Sequence, residues 1–239
     1  MADESNGPQR IVCLTEEPTE ILYLLGEGHR IVGITAYTVR PPEARDKHPI
    51  VSAFIDGNVK KICDLNPDLV IGFSDIQADL AAKLIKANQQ VLIFNQRSIA
   101  EILEVILTIG RLVSAEAKAQ SLVTEYKHAI SLATERASQL TSRPRVYFEE
   151  WDKPAFSAIR WVSELIEIAG GDDVFSEKSR GKLAREREVG WSEVIEMDPE
   201  VILASWCGKP VDIESIRRRP GWKSITAVRR GRIHEIDPS

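Results

Sequence analysis

Short strand-like segments recur along this chain, at 11–14, 31–35, 69–73, 91–94, 145–148, 201–205 and 232–236, most of them built on three or more consecutive apolar residues. Each is short enough to be a strand buried on both faces. Between several of them lie segments with helical character: 18–25, closed by Gly26 as a C-terminal cap; Asp75 to about 88, with Asp75 as the N-cap; and 161–168. Strands separated by helices predict parallel sheets with right-handed crossovers. A loop through Tyr37, Arg40, Pro41 and Pro42 follows the second run.

The middle of the chain has a different rhythm. Ser98-Ile99-Ala100-Glu101 reads as a capping box opening a helix to about residue 113. From Ser114 no Gly or Pro occurs until Pro144, and Leu122, Tyr126, Ala129, Ile130, Ala133 and Leu140 recur at helical spacing. A helix of about 25 residues would extend roughly 38 Å, enough to cross between two lobes as a stiff strut. The predicted organisation is an N-terminal α/β lobe over 1–113, a linking helix over 114–142 and a C-terminal α/β lobe over 143–239. The charged stretch 176–188 has no clear period and is expected to be a surface loop.

The two lobes repeat each other. Leu65-Asn66-Pro67-Asp68-Leu69-Val70-Ile71 is echoed by Met197-Asp198-Pro199-Glu200-Val201-Ile202-Leu203. In each copy a helical segment ends before proline, where helix is disfavoured, and an acid then leads into a strand. Ile21-Leu22-Tyr23-Leu24-Leu25-Gly26 is likewise echoed by Leu165-Ile166-Glu167-Ile168-Ala169-Gly170. Paired lobes leave a groove, and grooves suit small molecules.

Charge narrows the partners. The 31 basic and 36 acidic residues leave a net −5, which excludes the concentrated basic face of a nucleic-acid binder. Cys13, Cys63 and Cys207 are dispersed and odd in number, so neither a disulfide framework nor a cysteine zinc site is expected. The polar N-terminus has no apolar signal region, and no run approaches membrane-spanning length. As written the chain is expected to be cytoplasmic, or periplasmic if a signal has been trimmed.

The opening Arg10-Ile11-Val12-Cys13-Leu14-Thr15-Glu16-Glu17-Pro18-Thr19-Glu20-Ile21 resembles the start of class III substrate-binding proteins of ABC transporters. So do Arg30-Ile31-Val32-Gly33-Ile34, Pro41-Pro42-Glu43-Ala44 and Gly170-Gly171-Asp172-Asp173-Val174-Phe175. The resemblance spans about residues 10–236 and implies two Rossmann-like lobes with parallel sheets joined by a single long backbone helix. Ser74-Asp75-Ile76-Gln77, Phe94-Asn95-Gln96-Arg97, Glu149-Glu150-Trp151 and Ser205-Trp206-Cys207-Gly208-Lys209 are similar to a cobalamin-binding branch often lacking an export signal. That implies a non-enzymatic protein holding a cobalamin-like corrinoid or other metal chelate in the interlobe cleft. Family members that dock on a permease present an acid on each lobe. Lys60 and Ser192 stand at those positions here, which argues against docking. Relatives also continue into a closing C-terminal helix, whereas this chain stops at Ser239.

In open parallel sheets ligands gather at the carboxyl ends of strands. That singles out Tyr37, Asp75, Gln77, Asn95 and Gln96 in the first lobe, and Glu149, Glu150, Trp151, Trp206 and Cys207 in the second; Arg40 and Arg219 are candidates to pair with ligand carboxylates or amides, and Phe54 and Trp161 complete the candidate set. Trp151, Trp161, Trp206 and Trp222 suggest an aromatic wall against a flat conjugated ring, with core packing as the alternative. Alternation sends the Glu149 and Glu150 side chains to opposite faces, one toward a ligand and the other into a brace, or both into salt bridges. Cys207 is the candidate metal-binding thiol. His29, His48, His128 and His234 are scattered, which disfavours a histidine zinc site. The rival reading is a cytoplasmic enzyme using the same cleft, with Glu149 or Glu150 as acid–base and Cys207 as nucleophile. A third is a conventional periplasmic transport component for iron-siderophore or B12.

Overall fold

The computed structural model describes residues 7–237 apart from Phe54 and Cys207. The chain divides into two compact units. The first runs to Glu125, except that Arg97–Ile99 belongs with the second, which continues from Tyr126.

The first unit contains β1 (Ile11–Cys13), α1 (Glu16–Leu24), β2 (Ile31–Thr35), α2 (Ala44–Lys47), β3 (Ile50–Ala53), β4 (Asp56–Gly57), α3 (Val59–Asp64), β5 (Leu69–Phe73), α4 (Ala78–Lys86), β6 (Val91–Phe94) and α5 (Ile99–Leu112). Its sheet has the order β4-β3-β2-β1-β5-β6, parallel throughout except for the β3–β4 pair. Val12, Leu14, Val51, Ile62, Val70, Leu80 and Leu84 form one buried cluster in this unit. Helix α6 (Glu116–Ser138) is continuous for 23 residues, and the division between the units falls inside it.

The second unit contains β7 (Arg145–Glu149), β8 (Trp151–Asp152), β9 (Ala155–Phe156), α7 (Arg160–Ile168), β10 (Asp172–Asp173), α8 (Ser176–Ser179), α9 (Trp191–Met197), β11 (Val201–Ala204), α10 (Ile213–Arg217), α11 (Thr226–Arg229) and β12 (Ile233–Glu235). Its main sheet, β10-β7-β11-β12, is wholly parallel. Alternation along β7 and β11 feeds two cores. Tyr147, Ile202 and Ala204 enter one, while Val146 and Phe148, with Val201 and Leu203 against them, enter the other. This is why those runs are apolar without a period of two.

The sequence echo is a structural repeat. The residues before the two prolines, Asn66 and Asp198, both leave their helices with positive φ, 48° and 41°, a region Asn and Asp tolerate best among non-glycines. The acids beyond the prolines then cap a neighbouring strand. Asp68 accepts from the backbone N–H groups of Gln9 and Arg10 ahead of β1, and Glu200 accepts from that of Arg145 at the start of β7. Each strand also opens on an arginine clasping the end of the helix: Arg10 donates to the carbonyls of Leu65 and Asn66, and Arg145 to that of Asp198. Helices α1 and α7 both close on glycines in the left-handed region, Gly26 at φ 78° and Gly170 at φ 88°.

Strands β3 and β4 lie where the sequence pattern assigns no element, because runs of four and two residues are too short to show a period. Two expectations change. Ser74, not Asp75, makes the cap: its Oγ accepts from the Ile76 N–H, a 3-10 turn follows over Asp75–Gln77, and α4 begins only at Ala78. The stretch 176–188 is no loose surface loop. It holds α8 and a 3-10 turn at Ala184–Arg187, and Arg187 is buried.

Candidate functional site

All parallel strands of a sheet end on the same edge, so the loops after β1, β2, β5 and β6 meet at one edge of the first unit. Exposed large apolar side chains stand in the loops after β2 and β5 and in the β3–β4 turn: Tyr37, Val39, Ile76 and Ile55. Asp75 and Asn95 are exposed in the loops after β5 and β6. Of the predicted residues, the structure brings Tyr37, Asp75, Asn95 and Gln96 to this edge. Arg40 is exposed and pairs with Glu20 at 3.2 Å. Phe54 lies outside the described residues.

Gln77 is a correction. It is buried, its Oε1 accepts from the Phe73 N–H at 2.9 Å, and its Nε2 donates to the Leu14 carbonyl at 3.2 Å. It ties the end of β5 to the chain leaving β1 and presents no group to a ligand. A carboxamide is needed there because one donor and one acceptor must be met at once.

The loop after β1 carries residues that sequence reasoning passed over. Glu16 and Glu17 occupy the first turn of α1. Burial, with the adjacent Glu17 charge next in weight, pushes the Glu16 carboxyl up to about 7, and Arg40 offsets only part of this. Thr15, at the N-cap position, makes no capping bond with its side chain, and its Oγ1 is buried without a partner. At the other side of the same edge Asn95 and Gln96 line a pocket of about 240 Å³ with Phe94, Glu101, Glu104 and Thr108.

In the second unit the two glutamates go to opposite sides, and each is taken by an arginine. Glu149 has no exposed surface. Its carboxylate accepts from both terminal nitrogens of Arg219, from the Tyr147 hydroxyl at 3.1 Å and from the Trp206 indole N–H at 3.1 Å. Burial, and next the charge of that carboxylate, hold the Tyr147 phenol well above its ordinary range. Glu150 takes both terminal nitrogens of Arg187, which also donates to the Ser157 carbonyl. The salt-bridge reading therefore applies to both glutamates, and Glu149 and Arg219 are structural where they were expected to face a ligand.

The tryptophans follow the same logic. Trp206 is 3% exposed within the core that contains Tyr147 and Trp222, which corrects its assignment to a wall against a ligand. Trp161 packs half-buried against the opposite core. Cations already cover the indole faces: Arg219 lies over Trp222 at 4.5 Å and Trp191 at 5.2 Å, and the Lys209 ammonium over Trp151 at 4.2 Å and Trp206 at 4.7 Å. Lys209 also pairs with Asp152 at 2.6 Å. Trp151, on the β8–β9 hairpin, is half-buried like Trp161. Cys207 lies outside the described residues, and so does any metal role for it. Burial pushes the Cys13 thiol up to about 12, which leaves it a packing group.

Glu149 is saturated with donors and Glu150 is held by Arg187, so neither carboxylate is left open for the acid–base role considered for it. Among the described residues no group of three or more His, Cys, Asp or Glu is placed to hold a metal ion. None of their helices is long and apolar enough to cross a membrane.

Two units with parallel sheets, and a long helix in which the division between them falls, define a solute-binding architecture of the class III type. Residues 11–239 match the family described as periplasmic binding protein, and the chain belongs to it. It is 27% identical over 244 residues to YvrC of Bacillus subtilis, described as an uncharacterized ABC transporter substrate-binding lipoprotein, covering 97% of this chain and 73% of that one. It is 28% identical over 218 residues to a vitamin B12-binding protein of Vibrio campbellii, covering 85% and 74%. A crystal structure of a possible iron-binding (periplasmic solute-binding) protein from Staphylococcus epidermidis superposes with a TM-score of 0.81 at 25% identity, covering 98% of this chain and 91% of that one.

Proposed function

We propose that this chain is a non-enzymatic solute-binding protein for a bulky metal chelate, with a cobalamin-like corrinoid as the preferred solute. The observation that carries the reading is the set of exposed apolar side chains, Tyr37, Val39, Ile55 and Ile76, in loops at the strand-end edge of the first sheet. Apolar side chains gathered where a parallel sheet takes its ligands suit a large ring with an apolar face. The similarity to a vitamin B12-binding protein over most of both chains supports the corrinoid. The Lys60 ammonium engages Asp64 at 2.7 Å, and Ser192 is an exposed hydroxyl. Neither supplies the acid by which a permease would be met, so the proposed task is storage, delivery or sensing.

The test is incubation with hydroxocobalamin, cyanocobalamin, haem and ferric siderophores, followed by gel filtration with absorbance detection. Corrinoid colour should travel with the protein and weaken by about tenfold in affinity in a Tyr37→Ala/Ile76→Ser double variant, the loss of roughly 1.4 kcal/mol of contact. No retained chromophore from any of the four would overturn the proposal.

A further inference from the structure

We propose that the strand-end edge of the first sheet selects a solute whose rim carries uncharged carboxamides and rejects one whose rim carries carboxylates. The inference rests on the solute-binding reading above and names the chemistry of the group recognised.

Buried polar atoms in folded proteins nearly always have partners, and an unpartnered one costs about 1–3 kcal/mol. At this edge four side-chain oxygens are buried without one: Thr15 Oγ1 and Glu17 Oε2 beside the end of β1, Thr38 Oγ1 after β2 and Gln96 Oε1 after β6. Thr15 and Thr38 are almost wholly buried, at 2% and 0% exposure. Thr15 is the more telling, since it sits where a threonine ordinarily caps its helix and its hydroxyl is not used for that. Glu17 Oε2 and Gln96 Oε1 can only accept from a donor, and the two hydroxyls can donate or accept. A primary carboxamide supplies two N–H donors and one acceptor, whereas a carboxylate supplies acceptors alone.

Charge points the same way. Glu16, Glu17 and Glu20 cluster around the start of α1, and the nearby Arg40 is already paired with Glu20. The pocket of about 240 Å³ at the end of β6 is lined by Asn95, Gln96, Glu101, Glu104 and Thr108 among others and by no basic residue. It is smaller than the roughly 300–1,000 Å³ of sites that enclose a whole drug-sized ligand. It therefore suits a side group of a larger solute. Of the nearby cations Arg40 is held by Glu20 and Arg111 by Glu104, so an anionic group brought to either place meets acids whose neighbouring counter-ions are already engaged.

Two corrinoids with the same ring separate the possibilities: dicyanocobinamide, with an amide rim, and dicyanocobyrinic acid, with seven carboxylates. The amide form should bind at least about tenfold more tightly to the wild-type chain, and Glu16→Gln/Glu17→Gln should narrow that ratio to about threefold or less. Equal affinities for the two in the wild-type chain would overturn the charge selection while leaving the corrinoid reading intact. A ratio unchanged in the double variant would overturn the assignment to Glu16 and Glu17. Retention of neither corrinoid would overturn the corrinoid reading and this inference together. The wild-type comparison does not depend on a variant that folds, and thermal melting checks the double variant.

Discussion

Arg219 closes on Glu149 with both terminal guanidinium nitrogens while its own flat face lies over Trp222. Strand β7 delivers the acid and the turn after α10 delivers the base, so the pair ties distant parts of the second unit together. Removing one partner strands the other in a site closed to water. Arg219→Ala should therefore destabilise the chain by about 3–5 kcal/mol, read from urea denaturation. Arg219→Lys should recover little, because an ammonium cannot span two carboxylate oxygens and stack on an indole. A loss below about 1 kcal/mol in Arg219→Ala would show the carboxylate to be hydrated after all.

The paired caps make the repeat testable. Asp68 and Glu200 hold the backbone N–H groups at the entries to β1 and β7, and each stands one residue past a proline that follows a left-handed turn. Asp68→Ala and Glu200→Ala should each cost about 1–2 kcal/mol, the lower part of what a bond to a charged group contributes because these bonds are exposed, and the losses should add within about 0.5 kcal/mol. Strong non-additivity would mean the two units do not respond as separate repeats.

What was legible in the sequence is what a short window contains. Strands β5, β6, β7 and β11 announce themselves as apolar runs because neither face is solvent-exposed along most of their length, β5 and β7 being largely buried and β6 half-buried throughout, and the repeat shows because proline and an acid mark the same place twice. The two-residue strands β4, β8, β9 and β10 are too short to show a period: β4 pairs with the adjacent β3, β8 and β9 pair with each other, and only β10 is set by a distant partner, β7. The candidate site divides in the same way. Tyr37, Asp75 and Asn95 were found from position after a strand. The sequence left Glu149 and Glu150 open between ligand contact and salt bridges, and Trp206 between wall and core, because the deciding partners of the glutamates, Arg219 and Arg187, lie 70 and 37 residues away. Glu16 and Glu17 resemble an ordinary acidic first turn, and only burial makes them unusual.

Gln77 should behave as a structural residue. Its carboxamide serves the Phe73 N–H and the Leu14 carbonyl, so Gln77→Ala leaves a buried donor and a buried acceptor unmet. The expected loss is about 1–3 kcal/mol, seen as a lower melting temperature. Corrinoid retention measured well below that temperature should stay within about threefold of wild type, under 1 kcal/mol. A large affinity loss in a variant that melts normally would return Gln77 to the ligand-contacting set.

Glu16 gives the chain a pH dependence of definite sign. Its carboxyl is raised from 4.5 to about 7, first by burial and then by Glu17, with Glu20 adding to the rise and Arg40 opposing it. Between those two values the folded chain still holds a proton that the unfolded chain has released. Stability therefore falls as pH rises through this window, and the penalty is complete above about 7. Water screens a half-buried group, which reduces the full linkage energy to roughly 1–2 kcal/mol. Glu16→Gln carries no such proton, so it should be more stable than wild type by that amount at about pH 8 and no more stable at about pH 4.5. Urea midpoints at the two pH values check this. An advantage that is the same at both would assign the effect to packing, and a disadvantage at the higher pH would show that the Glu16 carboxylate is stabilised by a partner.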